Sequence, residues 1–196
     1  MTPHQMIEAS AIAAVISDPR QPDNPIIGCN SAFELLTGYS REEVIGRNCR
    51  FLRGEGTEQA LSQELRDGIA QQRPVMVEIL NYKKDGSPFR NAVMVAPLFD
   101  ADGELEYFLG SQVELAEPTS ALGDRRGEDA RARIAGLTKR QWEILVRMAA
   151  GRLNKQIAYD LGVTERTVKM HRSAVIRALG VRTSADAIRM AVEAGF

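Results

Sequence analysis

The chain has 196 residues, enough for one large domain or two small ones, with 44% hydrophobic and 26% charged residues. Two cysteines, Cys29 and Cys49, are too few for a secreted disulfide framework, and no apolar run nears the roughly 20 residues that cross a bilayer. The net charge of −1 conceals a split, because residues 136–196 carry 11 Lys/Arg against 5 Asp/Glu while the remainder is acidic.

"SAIAAVISDP" (10–19) is a β-prone run ended by Asp-Pro, and "NPIIGCN" (24–30) is a second, bounded by Pro and Gly. "SAFELL" and "SREEVIG" predict short helices, the latter with a capping box from Ser40 and Glu43. Residues 57–72 have helical spacing at Leu61, Leu65 and Ile69, with Thr57 as the expected cap. "PVMVEILNYKKDGSPFRNAVMVAPLF" then reads as strand, Asp-Gly turn, strand, and "DADGE" turns into "LEYFLGSQVEL". An antiparallel meander after a helical middle predicts an α+β domain over residues 1–116. Residues 117–135 are polar without a clear stripe and read as a linker, helical at most toward 127–135. Residues 136–196 change character. Thr138 and Gln141 form a capping box, and Gly151, Gly162, Gly180 and Gly195 end four helical segments, so an all-α domain is expected. Its basic character makes nucleic acid the expected partner.

The segment after "GVT" is tested by angle. At about 100° per residue, Val168, His171, Val175 and Leu179 form a core stripe, and Arg166, Lys169, Met170, Ser173 and Arg177 face the other way. Such a face suits a major groove. Arg172, on the flank, suits a phosphate, as does Lys155 at the start of the preceding helix. The stretch from Leu137 to Ala191 resembles the LuxR-type helix-turn-helix, through "LT.R", "NK.IA..L", "TVK.H" and the closing "L.V.". The resemblance implies a four-helix module on double-stranded DNA. Its third helix, with Arg166, Thr167, Lys169, Met170, Arg172 and Ser173, would read the duplex. Its fourth, with Ala187, Ile188, Ala191 and Val192, would form a dimer interface.

In the meander, alternation puts Val75, Val77, Ile79, Asn81, Asn91, Val93 and Val95 on one face with Phe108, Gly110 and Gln112. Val15 of the first strand joins them. Three amides on an apolar wall need partners, which a heterocycle would supply. Arg50, Arg53 and Arg66 would suit a phosphate on the same ligand. "GRNCRFL", "NYKKDGSPFRN" and "GSQVE" resemble the LOV domain, the flavin-binding photosensory branch of the PAS fold. The resemblance spans residues 8–115 and implies flavin mononucleotide, with FAD as an alternative. It assigns Asn48, Arg50 and Arg66 to the ribityl-phosphate tail and Asn81, Asn91 and Gln112 to the ring edge. Cys49 matches the thiol that bonds the flavin after blue light. The family usually has Gln where Arg53 stands. That leaves its contact with the tail open, with reach to the phosphate one alternative.

The other sheet face is also apolar, with Ile12, Ala14, Ile16, Met94, Ala96, Leu98, Leu109 and Val113. The fourth helix of the C-terminal domain is its expected cover. The expected function is a cytoplasmic, blue-light-regulated transcription regulator, released by light to dimerise and bind DNA. A flavin redox or ligand sensor on the same DNA-binding module is the alternative, and Cys49 speaks against it. Cys29 reads as a buried structural thiol. No metal-ligand spacing, Ser-His-Asp set, phosphate-cradling Gly loop or HExxH is present, so neither a metal site nor an enzyme is expected.

Overall fold

The computed structural model describes residues 3–100, 102–115 and 120–196. After a short helix α1 (Pro3–Ile7), strands β1 (Ala13–Ser17) and β2 (Ile26–Cys29) pair antiparallel. Helices α2 (Ser31–Thr37) and α3 (Arg41–Val44), a 3-10 turn (Cys49–Leu52) and α4 (Gln59–Ala70) follow. The meander is β3 (Val75–Tyr82), β4 (Pro88–Phe99) and β5 (Leu105–Leu115). All five strands form one antiparallel sheet in the order β2-β1-β5-β4-β3. The crossover brings β1 beside β5, so Val15 lies opposite Gly110 and Ala13 opposite Gln112.

Asn30 shows how one side chain fixes this entry into the fold. Its Oδ1 accepts from Phe33 N, capping α2, and from Ala14 N. Its Nδ2 donates to the Ile7 carbonyl at 3.0 Å and the Ile12 carbonyl at 2.8 Å. The residue is only 3% exposed, so water cannot replace these bonds. Asn30→Ala should therefore cost about 3 kcal/mol, a lost cap plus stranded buried backbone groups. Chemical denaturation of the full chain measures it.

The capping box of Ser40 and Glu43 is present on α3. Thr57 does not cap α4, whose first turn is entered through Glu58 without a side-chain cap. The Thr57 hydroxyl is used elsewhere: it accepts from Gly54 N and donates to the Leu80 carbonyl, tying the loop to β3.

The C-terminal helices are α5 (Ser120–Ala135), α6 (Lys139–Ala149), α7 (Asn154–Leu161), α8 (Glu165–Ala178) and α9 (Ser184–Glu193). Helix α5 begins at Ser120, so the helix expected only toward 127–135 is longer than the sequence indicates; residues 117–119 lie outside the described residues. The reason is tertiary. Ala130 and Ile134, four residues apart, are buried in the same core as α6 and α9. Arg131 Nε donates to the Ala194 carbonyl at 3.1 Å. A polar sequence thus gains a helix by packing rather than by propensity.

One sheet face packs under α2 and α4, with Phe33, Val44 and Leu52 against Val15, and Leu61 and Leu65 against Val75, Val77 and Ile79. The other face is covered by α9. Ala14, Ile16, Met94, Ala96, Leu98 and Leu109 share one buried cluster with Ala185, Ala187, Ile188 and Ala191. Gly151, after α6, marks how closely the C-terminal helices approach the sheet. Its φ is +76°, and a Cβ there would collide with the Pro97 carbonyl.

Candidate functional site

Between the sheet and the α2–α4 layer lies a cavity of about 670 Å³. Its floor is Val15, Ile79, Asn81, Val93, Val95, Phe108, Gly110 and Gln112. Strand register explains why these meet: Ile79 pairs with Asn91, Val93 with Gln112, and Val95 with Gly110. Gly110 keeps the floor low, since a Cβ there would meet Val15 Cγ2 at 2.8 Å. Leu52, Leu65 and Ile69 form the opposite wall, a contribution that the helical spacing of α4 had only half indicated.

The amides sit as alternation requires. Asn91 is fully buried and donates from Nδ2 to Asn81 Oδ1 at 3.0 Å. Gln112 Oε1 and Asn24 Oδ1, on the cavity lining, and Asn91 Oδ1, whose residue is not part of that lining, are buried with no hydrogen-bond partner among the described residues. Orphaned buried acceptors are rare in folded proteins, and they call for a donor from a bound group.

Cys49 opens the 3-10 turn that Asn48 caps, and it faces the cavity. Gln112 Nε2 donates to Cys49 Sγ at 3.5 Å. Burial pushes the thiol pKa up to about 11, with Gln112 and the distant charge of Arg53 pulling weakly the other way. The thiol is therefore neutral at physiological pH, unlike an enzyme nucleophile. Cys29 is 1% exposed within the α2 cluster and does not line the cavity.

Arg50, Arg53 and Arg66 all line one region of the cavity. Arg50 pairs with Asp23, and Arg66 donates to Gln63 Oε1. The Asn48 side chain is committed to backbone, donating to the Asp23 carbonyl and accepting from Arg50 N. Arg53 has no side-chain hydrogen bond or ion pair among the described residues, and burial followed by the charges of Arg66 and Arg50 depresses its guanidinium pKa. An anion at this spot would relieve that repulsion. The donor set fits a ligand with a polar ring edge and an anionic tail.

On the C-terminal domain, Arg166, Lys169, Met170, Ser173 and Arg177 are exposed along α8, as is Lys155 on α7, while Val168, Val175 and Leu179 are buried. Thr167 is half-buried, and its hydroxyl is 2.9 Å from that of Thr164, the cap of α8. Arg172 departs from the expected phosphate contact. Its Nη1 donates to Asn154 Oδ1 at 2.8 Å and its Nη2 to Ser184 Oγ at 3.2 Å, so it ties α7 to α9 from inside.

Helix α9 is buried, with Ala187 and Ala191 fully enclosed, Ile188 2% exposed and Val192 at the edge. Sequence reasoning missed the polar part of this contact. Arg189 is 2% exposed and donates to the Ala92 carbonyl at 3.2 Å and to Ser111 Oγ at 2.8 Å, while its Nε pairs with Glu193 at 2.7 Å. Ser10 donates to Asp186, whose other carboxylate oxygen completes the α9 capping box. The only signal was a charge inside an otherwise apolar helical stripe. Ser111 directly precedes Gln112, so Arg189 grips the outer face of the strand segment whose inner face lines the cavity.

An α+β sensor-type domain with an internal cavity, packed on a helix-turn-helix module, is the class these features define. Residues 13–117 match the PAS domain family, and residues 135–191 match the bacterial regulatory proteins of the luxR family. The chain belongs to the PAS family, in a form that joins a LOV-like sensor to a LuxR-type helix-turn-helix domain. It is 48% identical over 128 residues to Blue-light-activated histidine kinase 1 of Erythrobacter litoralis, covering 65% of this chain and 35% of the kinase. The likeness to the kinases lies in the sensor part only. Among solved structures, the light-state LOV domain of the blue-light photoreceptor Aureochrome1 is 38% identical with a TM-score of 0.55, covering 58% of this chain and 88% of that one. The light-state dimer of the fungal photoreceptor Vivid is 33% identical with a TM-score of 0.52, covering 57% and 86%. No helix among the described residues is long and apolar enough to cross a membrane.

Proposed function

We propose that this chain is a non-enzymatic, blue-light-regulated transcription regulator that holds flavin mononucleotide in the cavity and binds double-stranded DNA through α8. The observation that carries the proposal is Cys49 beside Gln112, whose buried Oε1 has no partner among the described residues, on the wall of one cavity. When bound, the flavin supplies blue-light absorption and a ring carbon able to take the Cys49 sulfur. The chain's own residues do the rest. Asn81, Asn91 and Gln112 orient the ring edge. Arg53, with Arg50 and Arg66 behind it, answers the phosphate. Cys49 keeps its proton on sulfur until it reacts.

The signal leaves through Gln112. One amide carries both an acceptor and donors, so its rotation answers a change in the ligand's bonding without moving the backbone far. Ser111, the next residue on β5, meets Arg189 on the other face. A shift there loosens a buried guanidinium whose bonds lie largely across the interface, which is costly to leave half-made. Release of α9 would expose Ala187, Ile188, Ala191 and Val192 for pairing with a second copy. The light-state dimer of Vivid supports light-driven association as a mode for such domains. A coupling of a few kcal/mol suffices to shift populations up to about a hundredfold.

The test is direct. The purified chain should be yellow, bleach reversibly in blue light, and gain both mass and DNA affinity while lit. Light scattering and a DNA titration, each in dark and light, read the outcome. Unchanged mass and affinity would refute the coupling even if the bleaching occurred.

A further inference from the structure

The turn between β4 and β5 is acidic, with Asp100, Asp102, Glu104 and Glu106 within seven residues. Asp100 builds the turn, its Oδ1 accepting from Asp102 N at 2.9 Å and Glu104 N at 3.0 Å. The other three carboxylates make no hydrogen bond or ion pair among the described residues, and Asp102 and Glu104 are exposed. Local structure therefore does not account for their charge.

Their position does. The tip of this hairpin is seated on the helix-turn-helix domain. Gln156 Nε2 donates to the Asp100 carbonyl at 2.9 Å, and Phe99 N donates to the Gly151 carbonyl at 3.2 Å. Gln156 follows Lys155 in the first turn of α7, where free amides and a lysine favour phosphate. Nearby, Glu106 and Tyr107 share a cleft of about 720 Å³ with Lys155, Lys169 and Ser173. No ion pair crosses this cleft among the described residues, and Glu106 is the hairpin carboxylate that lines it, so its charge meets the lysines as a field. Such a field reaches about 10 Å at ordinary ionic strength.

We propose that this acidic hairpin is an autoinhibitory surrogate for the DNA backbone, held against the phosphate-binding side of α7 and α8 while the domains are docked. The proposal rests on the DNA-binding reading and goes beyond the burial of α9. It means that a docked chain is blocked from DNA directly, not only from dimerising.

The experiment uses the full chain in the dark, a short random-sequence duplex and low ionic strength. One variant carries Asp102→Asn, Glu104→Gln and Glu106→Gln. A control with the same change in charge carries Glu55→Gln, Glu64→Gln and Asp67→Asn, which stand on or beside α4, across the sheet from α9. The hairpin variant should bind the duplex ~5–10-fold tighter than wild type, at unchanged mass by light scattering, with the control within about twofold. Gln156→Ala, which removes the bond to the Asp100 carbonyl together with the cap on Leu153 N and leaves the charge unchanged, should shift dark affinity in the same direction. Equal gains in hairpin variant and control, no gain in the hairpin variant, or a dark dimer of it would each overturn the proposal. A wild-type chain with no affinity for the duplex in dark or light would instead strike the DNA-binding reading itself.

Discussion

Cys49→Ala should retain its flavin and its yellow colour and lose reversible bleaching completely. Cys49 is the one thiol that lines the cavity, and Cys29 is sequestered in the α2 cluster, so no second sulfur can substitute. Retention should be little affected, because the orienting amides and the arginines are untouched. The variant's DNA affinity should be the same in dark and light. The protonated thiol adds a pH signature. With its pKa raised to about 11, the thiolate fraction is negligible across neutral pH and rises only as pH approaches that value. Wild-type bleaching yield should thus be flat from about pH 6 to about pH 9, whereas a thiolate nucleophile would gain with each step upward. Absorbance spectroscopy on both proteins decides the point; reversible bleaching in Cys49→Ala would remove Cys49 from its assigned role.

Ile188→Glu should give a chain that is undocked in the dark and monomeric in the light. Ile188 is 2% exposed, in the cluster that α9 shares with Met94, Ala96 and Leu98 of β4. The Arg189 guanidinium is already held by Glu193, Ser111 and the Ala92 carbonyl, and Arg172, which lines the same cleft as Ile188, by Asn154 and Ser184. An unpaired buried charge costs several kcal/mol, so the interface opens instead. The same position is needed for pairing of two α9 helices, so the opened chain stays monomeric. A single recognition helix binds weakly, because a two-fold dimer gains from effective concentration on half-sites about 34–36 Å apart. The expected outcome is an enlarged hydrodynamic radius in the dark, a monomer mass in both conditions and weak DNA binding in both. Retained flavin absorbance and helical circular dichroism would show that each domain stays folded. A dark form as compact as wild type, or a lit dimer of it, would sink the assignment of α9.

The sequence by itself determined what depends on local periodicity and short motifs. Alternation along β3, β4 and β5 places Asn81, Asn91 and Gln112 on one face, because a strand's side-chain period is two and register preserves it. Capping boxes and terminal glycines marked α3 and the C-terminal helices, because those signals act within a single turn. Only the tertiary structure decided what depends on distant partners. Thr57 was free to cap α4 until Leu80 claimed its hydroxyl. The polar stretch of α5 became a helix because Ala130 and Ile134 found α9. Arg172 turned inward because Asn154 and Ser184 offered acceptors, and Arg189 became a buried grip on β5 because Ser111 and the Ala92 carbonyl stood across the interface. A guanidinium's long stem and five donors leave its partner undefined by sequence spacing, and the fold selects among the acceptors within reach.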